Sequence, residues 1–420
     1  MKILFINPAA NLGGAERVLL ASLQTVQSYL TRDVHLLTLE DGPLIGEAER
    51  LGVRVHVVRT PQKILQWSEA GQLGAVSRMV PQPVRSASHL VASMWPLTQT
   101  LVALRKQVQR IQPSLVCSNG MKTHLLTAAV VRRDIPKIWH LHDFIGQRPL
   151  ACRLLRQAVC RNTFGVAVSH AVRNDWQQHV PGLQASVVHN GTDVQFFRPQ
   201  VTSATLQNAP QTTRIGLVAT YAHWKGHGLF LDAVANVVRQ ANRNIACDIV
   251  GGPIYSTVGS QISRTDLLQR IQQLNLERYV RLVDFQNKMD DVYRNLDVVV
   301  HASTRPEPFG LTIVEAMASG CGVIASAAGG VPEIVTHEHD SLAVPPNCVD
   351  SLSASLGRLI SDDHLRRRLG REARETVIRR FSNEQFAVKL ANIYRQALSP
   401  QNAPVPNRIE PTCSADFSAP

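Results

Sequence analysis

Two glutamates separated by seven residues stand where a loop passes into a helix. Glu307 lies in the loop, and Glu315 lies one turn inside the helix that the apolar pattern after it predicts. A glutamate in that helix can accept hydrogen bonds from vicinal hydroxyls, as a ribose presents them, while one in the loop can reach a sugar. On the pattern alone, both carboxylates could instead complement a helix dipole at the surface.

The residues between these glutamates favour a phosphate site. Gly310 allows a ligand to approach the backbone closely, and the N–H groups of Leu311 and Thr312 at the predicted helix start have no partner within the helix. Such groups bind anions through hydrogen bonds and the positive end of the helix dipole. The segment therefore predicts a binding site for a diphosphate.

With Pro-Glu-Pro-Phe-Gly-Leu-Thr-Ile-Val-Glu at residues 306–315, the chain resembles the retaining glycosyltransferases of the GT-B fold that carry a Glu-x7-Glu motif. These are glycosyltransferase family 4 and glycosyltransferase group 1. The resemblance extends over residues 1–398. It implies that Glu307 contacts the donor sugar near the reaction centre, that Glu315 holds the ribose, and that amides of the Phe309-Gly310-Leu311 segment hold sugar and phosphate.

A glycine pair, Gly13 and Gly14, follows the first predicted strand in the sequence Asn-Leu-Gly-Gly-Ala-Glu. A turn without side chains lets backbone N–H groups approach a ligand, and the resemblance places this turn at the donor, in a cleft between domains. A tight strand-to-helix turn with no ligand is the alternative.

Lys225 follows the first predicted strand of the second half, in Tyr-Ala-His-Trp-Lys-Gly. A fixed ammonium stabilises a departing diphosphate where no metal does so, and the resemblance matches Lys225 to the family's lysine in that role. Thr220 stands where the family has an arginine, so either the affinity for the donor is lower or another positive side chain substitutes, with His223 and Arg305 close by in the sequence. A solvent-exposed lysine without a role is the alternative.

His142 belongs to the run Trp-His-Leu-His-Asp at the carboxyl end of an apolar strand, the edge where open α/β sheets bind ligands. The resemblance implies that His142 faces the donor sugar. His140 would point the same way and could suggest a metal pair, but no third ligand has suitable spacing. We therefore predict no metal site.

The elements that must position these residues alternate between strand and helix in both halves of the chain. The pattern predicts an α/β protein with two doubly wound, Rossmann-like domains, followed by a helical segment over residues 347–397. Within that segment, Phe-Ser-Asn-Glu at residues 381–384 predicts a stop and an N-cap at Ser382 before the last helix. The resemblance implies that the two domains face an interdomain cleft, as in the GT-B fold. The predicted strands are residues 2–7, 34–39, 53–58, 114–117, 138–141, 164–168, 214–219, 245–250, 280–283, 298–301 and 323–325.

A polar stretch over residues 200–213, rich in Gln, Thr and Asn, follows His-Asn-Gly-Thr-Asp at 189–193 and marks the domain boundary. We predict an acceptor-side domain, a nucleotide-sugar-binding domain, a helix that returns to the first domain, and a disordered tail. Their limits are residues 1–189, 190–381, 382–398 and 399–420.

The net charge of +12 lies almost wholly in the first half: residues 1–200 hold 22 Lys and Arg against 11 Asp and Glu, and residues 201–420 hold 22 against 21. A basic face favours anionic lipid headgroups, a phosphate-bearing acceptor or nucleic acid, and a merely solubilising surface is equally open. Apolar and basic residues are mixed between Gln62 and Arg110, as in an amphipathic lid that contacts a membrane or covers the acceptor, or in an ordinary helical insertion. These residues are Trp67, Arg78, Met79, Arg85, Trp95, Arg105 and Lys106.

No apolar run is long enough for a membrane span or a signal peptide, and the seven scattered cysteines predict a reducing compartment without structural zinc. We expect a cytoplasmic hexosyltransferase, peripheral at the inner membrane face, that needs no cofactor and binds no specific nucleic acid. The resemblance implies a retaining, metal-independent reaction from a UDP- or GDP-sugar to a glycan, lipid-linked or small-molecule acceptor, as in polysaccharide biosynthesis.

Two other functions stay open. A non-catalytic relative would bind nucleotide or glycan only, and Thr220 in place of arginine fits that reading. A dinucleotide-dependent oxidoreductase would need Gly-x-Gly-x-x-Gly after a strand, which neither Gly13-Gly14 nor Gly251-Gly252 supplies.

Overall fold

The computed structural model describes residues 1–61, 85–199, 212–240, 244–253, 261–286 and 288–399, with only the backbone of residues 85–94. Its first sheet is parallel, with strand order β3-β2-β1-β4-β5-β6-β7. Helices cover both faces, so most strands are continuous runs of buried residues. The strands are β1 (Ile3–Asn7), β2 (Val34–Thr38), β3 (Arg54–Val57), β4 (Leu115–Asn119), β5 (Lys137–Leu141), β6 (Thr163–Ala167) and β7 (Gln184–Val187).

The second sheet is also parallel, with order β10-β9-β8-β11-β12-β13. In both sheets the order reverses beside the first strand, which opens a crevice at the carboxyl ends of the strands there. Its strands are β8 (Thr213–Val218), β9 (Ile245–Val250), β10 (Val280–Val283), β11 (Val298–His301), β12 (Gly322–Ser326) and β13 (Leu342–Val344).

Thirteen α-helices connect and follow these strands in the described part of the chain. They are α1 (Gly14–Tyr29), α2 (Pro43–Arg50), α3 (Arg85–Ile111), α4 (Met121–Val130), α5 (Pro149–Ala158), α6 (His170–His179), α7 (His227–Gln240), α8 (Arg264–Gln273), α9 (Met289–Arg294), α10 (Leu311–Ala318), α11 (Val349–Ser361), α12 (Asp363–Arg380) and α13 (Asn383–Leu398). None of the described helices is both long enough and apolar enough to cross a bilayer.

The two doubly wound α/β sheets confirm the predicted fold class. The strands β7 and β13 were missed, because β7 is a half-exposed edge strand and β13 has only three residues. The helix α9 was also not predicted, because its six residues are too few to show a helical period. The predicted start of the last helix is correct, since the Ser382 hydroxyl accepts a hydrogen bond from the Gln385 amide at 3.3 Å.

The chain crosses between the sheets twice, side by side. Thr192 N donates to Phe381 O at 2.8 Å, and Asn383 N donates to Thr192 O at 2.9 Å. Helix α13 then packs on α1 of the first sheet, and the Tyr394 hydroxyl lies 2.6 Å from His140 Nε2. The domain limits given above stay a prediction.

Part of the basic stretch lies on α3. Trp95 is 70% exposed, and Arg105 and Lys106 are exposed further along the helix. Trp67, Arg78, Met79 and the predicted tail from residue 400 lie outside the described residues.

Candidate active site

Lys225 and Glu307 are in direct contact. The Lys225 ammonium donates to both carboxylate oxygens of Glu307, at 3.0 and 2.8 Å. The Ser303 hydroxyl donates to Oε2 at 3.0 Å, and His301 Nε2 lies 3.3 Å from the same atom. The two charged side chains are 22% and 16% exposed, so the pair is largely shielded from water yet reachable.

The Glu307 carboxylate is held in its charged form. Burial by itself would raise its pKa, but the Lys225 ammonium and the hydrogen bond and charge of His301 together keep the pKa well below its usual range. The site therefore presents a fixed carboxylate beside a fixed ammonium. That suits a ligand in which hydroxyls adjoin a phosphate.

Helix α10 begins beside this pair with uncapped amides. Gly310 has φ +116°, a conformation that favours glycine, and a Cβ there would lie 2.9 Å from Ile313 Cδ1. Because glycine has no side chain, nothing of its own covers the N–H groups of Leu311 and Thr312. The helix start therefore has the geometry of an anion site, as the sequence indicated.

Glu315 makes different contacts from Glu307. It is 7% exposed, accepts a hydrogen bond from the Tyr293 hydroxyl at 2.9 Å, and lies 3.7 Å from Arg17 Nη1. Burial raises its pKa, which Arg17 and Tyr293 partly offset. Glu315 lines a cavity of about 110 Å³ together with Arg17, Leu311 and Gly191.

Arg17 is a residue that the sequence analysis missed. It lies on α1, three residues after Gly14, and brings a positive charge from the first sheet to Glu315 of the second. Thr220, by contrast, has a buried hydroxyl with no hydrogen-bond partner among the described residues. The proximity to the glycine pair was the only available signal for Arg17.

The glycine turn lies against the start of α10. A Cβ on Gly14 would be 3.4 Å from Leu311 Cδ1, and Gly13 N donates to Glu16 Oε2 at 3.2 Å, which ties the turn to α1. The predicted donor-binding segments of the two sheets therefore face each other.

A chain of hydrogen bonds runs from the glycine turn to His142 along the carboxyl edge of the first sheet. Asn7 Nδ2 lies 3.4 Å from Glu16 Oε1, Asn119 Nδ2 donates to Asn7 Oδ1 at 2.7 Å, and Asn119 Oδ1 is bonded to His142 Nε2. Because Asn119 uses its carbonyl oxygen here, His142 must carry its proton on Nε2. The roles of Asn7 and Asn119 were not predicted from the sequence.

His142 is neutral in this setting, because burial lowers its pKa to about 4. Its Nδ1 atom can then accept a hydrogen bond. His140 bonds Tyr394 instead, and burial, with the nearby His142, lowers its pKa to about 3. The two histidines therefore serve different partners.

Asp143 connects the two halves of the site. Desolvation of its carboxyl raises its pKa, the charge of Glu307 raises the pKa further, and the charges of Arg148 and Lys225 lower it. Asp143, next to His142, is thus within electrostatic reach of the Lys225–Glu307 pair. The loop of the first sheet that carries His142 therefore shares the cleft with that pair.

Phe309 contributes only backbone to this cleft. Its ring is buried and stacks on His189, with centroids 6.0 Å apart and planes 26° apart. Close by, the possible ligand atoms of His170, His189 and Glu333 lie within 4.8 Å of one another, the one such metal-compatible group in the described part of the chain.

Two family models match the chain. Residues 12–196 match Glycosyltransferase Family 4, and residues 203–376 match Glycosyl transferases group 1. Among curated proteins, D-inositol 3-phosphate glycosyltransferase of Corynebacterium glutamicum is 30% identical over 226 residues, which are 52% of this chain and 53% of that protein. N-acetyl-alpha-D-glucosaminyl L-malate synthase of Bacillus anthracis is 24% identical over 60% of this chain and 65% of its own length. The matches thus span about half to two thirds of these relatives.

Solved structures are similar over nearly the whole chain. HepE of Anabaena in complex with UDP-glucose has a TM-score of 0.74 at 23% identity, covering 94% of this chain and 99% of that one. Sucrose-phosphate synthase of Thermosynechococcus elongatus has a TM-score of 0.71 at 19% identity, with coverages of 94% and 99%. At these identities the similarity establishes the fold.

Proposed function

We propose that this chain transfers a hexose from a nucleotide-diphosphate sugar. The chain belongs to glycosyltransferase family 4 and the group 1 glycosyl transferases, and it has their GT-B fold. The acceptor is a hydroxyl of a glycan, a lipid-linked sugar or a small molecule. The observation that carries this proposal is the contact between Lys225 and Glu307 at the uncapped start of α10.

The contact suits the two parts of a donor that flank the bond to be broken. When the bond between the anomeric carbon and the phosphate oxygen breaks, negative charge grows on the diphosphate. Lys225 and the amides of Leu311 and Thr312 stabilise that charge, which a metal ion would otherwise do. Glu307, held beside Lys225, accepts hydrogen bonds from the hydroxyls of the sugar.

The first sheet supplies the facing wall. Gly13 and Gly14 allow the donor to approach the backbone, and Nδ1 of neutral His142 accepts a hydrogen bond from a sugar hydroxyl. Glu315 accepts hydrogen bonds from the ribose hydroxyls, and the Arg17 guanidinium, 3.7 Å from Glu315, adds a positive charge at this end of the site. Closure of the two walls excludes water, which would otherwise hydrolyse the donor.

We further propose that the reaction retains the anomeric configuration. The acceptor oxygen bonds to the anomeric carbon on the face that the phosphate leaves, and the acceptor proton passes to a phosphate oxygen, so no enzyme carboxylate becomes covalently linked. The Glu-x7-Glu spacing, with Glu307 paired to Lys225 rather than free, supports this course.

A UDP- or GDP-sugar is the proposed donor, and the complex of HepE with UDP-glucose supports the uridine form. We propose that the enzyme is cytoplasmic and peripheral at the inner membrane face, and the exposed Trp95 and Val102 on α3, near Arg105 and Lys106, support membrane contact. Co-sedimentation with anionic vesicles but not with zwitterionic ones checks this placement, and equal recovery with both would contradict it.

Thermal-shift measurements with UDP, GDP, ADP, NAD and the corresponding nucleotide sugars test the donor class. A ligand that binds the folded state raises the melting temperature, by an amount that grows with its concentration over Kd. We expect a shift with UDP or GDP and their sugars, and release of UDP or GDP from the sugar in the presence of an acceptor.

Two results would change the assignment. A shift with a nucleotide sugar but no turnover, with or without acceptors, favours the non-catalytic relative. A shift with NAD alone favours the oxidoreductase.

A further inference from the structure

The loop over residues 328–334, with the sequence Ala-Gly-Gly-Val-Pro-Glu-Ile, is fitted closely against the backbone of Glu307. Glu307 N donates to Ala328 O at 3.3 Å, and Gly330 N donates to Glu307 O at 2.8 Å. A Cβ on Gly329, which has φ +72°, would lie 2.3 Å from Glu307 O. Any shift of this loop therefore moves residue 307 with it.

The same loop reaches across to the first sheet. Glu333 Oε2 accepts a hydrogen bond from His170 N at 2.8 Å, and Oε1 accepts one from Ala171 N at 2.9 Å, at the start of α6. A Cβ on Gly330 would lie 2.9 Å from Ser169 Cβ, so the loop backbone also touches the N-cap of this helix. A carboxylate at a helix start is stabilised by the free N–H groups and the dipole.

A third contact comes from the segment that joins the sheets. His189 Nε2 lies 2.9 Å from Glu333 Oε2, and the His189 ring stacks on Phe309 next to Gly310. Burial alone would raise the pKa of Glu333, but the bonds from His189, His170 N and Ala171 N hold the pKa below its usual range. The carboxylate is therefore charged where it meets α6.

We propose that Glu333 is a positioning residue that fixes the loop holding Glu307 onto helix α6 of the facing sheet. This inference rests on the proposed transferase function. Contacts link α6 to Glu333, and the loop that carries Glu333 and Gly330 to Glu307. They determine the distance between the Lys225–Glu307 pair and the part of the first sheet that carries His142. A sugar held between these walls reacts only when both are correctly placed.

A metal ion is the other reading of His170, His189 and Glu333. Both carboxylate oxygens already accept N–H bonds at 2.8 to 2.9 Å, and the third contact is a direct hydrogen-bonding distance to His189. These three partners take most of the roughly four acceptor sites of the carboxylate, so we assign Glu333, His170 and His189 to a hydrogen-bonded contact between the sheets.

The test compares Glu333→Ala and Glu333→Gln with the control Glu338→Gln. Glu338 lies five residues further on and bonds Arg358 at the surface. We expect Glu333→Ala to lower kcat about 10- to 100-fold. Its Kd for UDP should stay within about twofold of wild type, because Lys225 and the α10 amides belong to the second sheet. Glu333→Gln keeps one carbonyl acceptor, so its kcat should lie between those of Glu333→Ala and wild type. The kcat of Glu338→Gln should equal that of wild type.

Hydrogen exchange supplies a readout that does not depend on turnover. In Glu333→Ala the amides of His170, Ala171, Glu307, Phe309 and Gly310 should exchange faster, while β8 and β9 stay protected. Unchanged exchange at these amides, an unchanged kcat, or a loss of UDP affinity in step with kcat would overturn the inference. If wild type transfers no sugar, the proposed function fails, whereas the exchange result still decides the role of Glu333.

Zinc addition separates the two readings of the group. We expect that Zn²⁺ at micromolar concentration changes the melting temperature of neither wild type nor His170→Ala. A rise in wild type that His170→Ala abolishes would overturn the assignment in favour of a metal site.

Discussion

Lys225 and Glu307 depend on each other as residues before any ligand is considered. Each is mostly buried, and each neutralises the other at 2.8 Å. Removing one member of a buried pair leaves an uncompensated charge, whereas replacing both removes the cost of burying either. Single and double substitutions at this pair can therefore separate an effect on stability from an effect on transfer activity.

We predict that Lys225→Met lowers the free energy of unfolding by roughly 2–4 kcal/mol and transfer activity about 100-fold or more. The double variant Lys225→Met/Glu307→Gln should regain most of the stability and none of the activity. Denaturant unfolding and initial rates measure the two effects, with exposed Lys389→Met as control. Recovery of activity in the double variant would contradict the proposed roles.

At the scale of elements, three parallel strands place His142. Asn7 ends β1, Asn119 ends β4, and His142 follows β5, so the order β1-β4-β5 brings their side chains into one hydrogen-bonded row. The sequence predicted that His142 stands at a ligand-binding edge. It could not identify Asn7 and Asn119 as partners, because they lie 112 residues apart and meet only through strand order.

The start of α10 gives a prediction about backbone conformation. Gly310→Ala should cost about 1–3 kcal/mol and weaken UDP binding, since φ +116° is strained for alanine and its Cβ would crowd Ile313. Gly357→Ala is the matched control, because an added Cβ within α11 meets nothing within 4 Å. That control should stabilise by about 0.5–1 kcal/mol. Equal effects of the two changes on UDP affinity would count against an anion site at Gly310.

At the scale of the whole molecule, the two sheets are joined by several bonds near the crossings. Arg374 donates to Phe197 O at 3.0 Å and to Val194 O at 3.2 Å, and Tyr394 of the last helix bonds His140. These contacts set how the sheets face each other, and so how the Lys225–Glu307 pair faces His142.

Buried histidines make the stability of the whole molecule depend on pH. Burial lowers the pKa of His140 to about 3 and that of His142 and His227 to about 4. The unfolded chain, with pKa near 6.5, then binds more protons than the folded one below that pH. We predict that unfolding free energy falls as pH drops from about 6.5 towards 4, by up to about 1.4 kcal/mol per unit for each histidine.

Urea unfolding at pH 7.5, 6.0 and 5.0 measures this slope. The variant His140→Gln keeps an acceptor for Tyr394 and should reduce the slope of unfolding free energy against pH. The variant His364→Gln, at an exposed position, should leave that slope unchanged. Identical slopes in the two variants would contradict the burial argument for His140.

The sequence by itself determined what depends on near neighbours. The strand and helix periods, the glycine at the start of α10 and the Ser382 cap follow from a few adjacent residues, and the fold class followed from their alternation. The apolar pattern likewise predicted that Glu307 lies in a loop and Glu315, after seven intervening residues, in a helix, which the structure confirms.

Only the tertiary structure decided which of these residues meet. Lys225 and Glu307 are 82 residues apart, Glu333 and His170 are 163 apart, and Arg17 reaches Glu315 from the other sheet. These contacts are formed by strand order and by the way two sheets pack against each other. No local pattern encodes either, because hydrogen bonds and ion pairs between distant segments depend on the geometry of the whole chain.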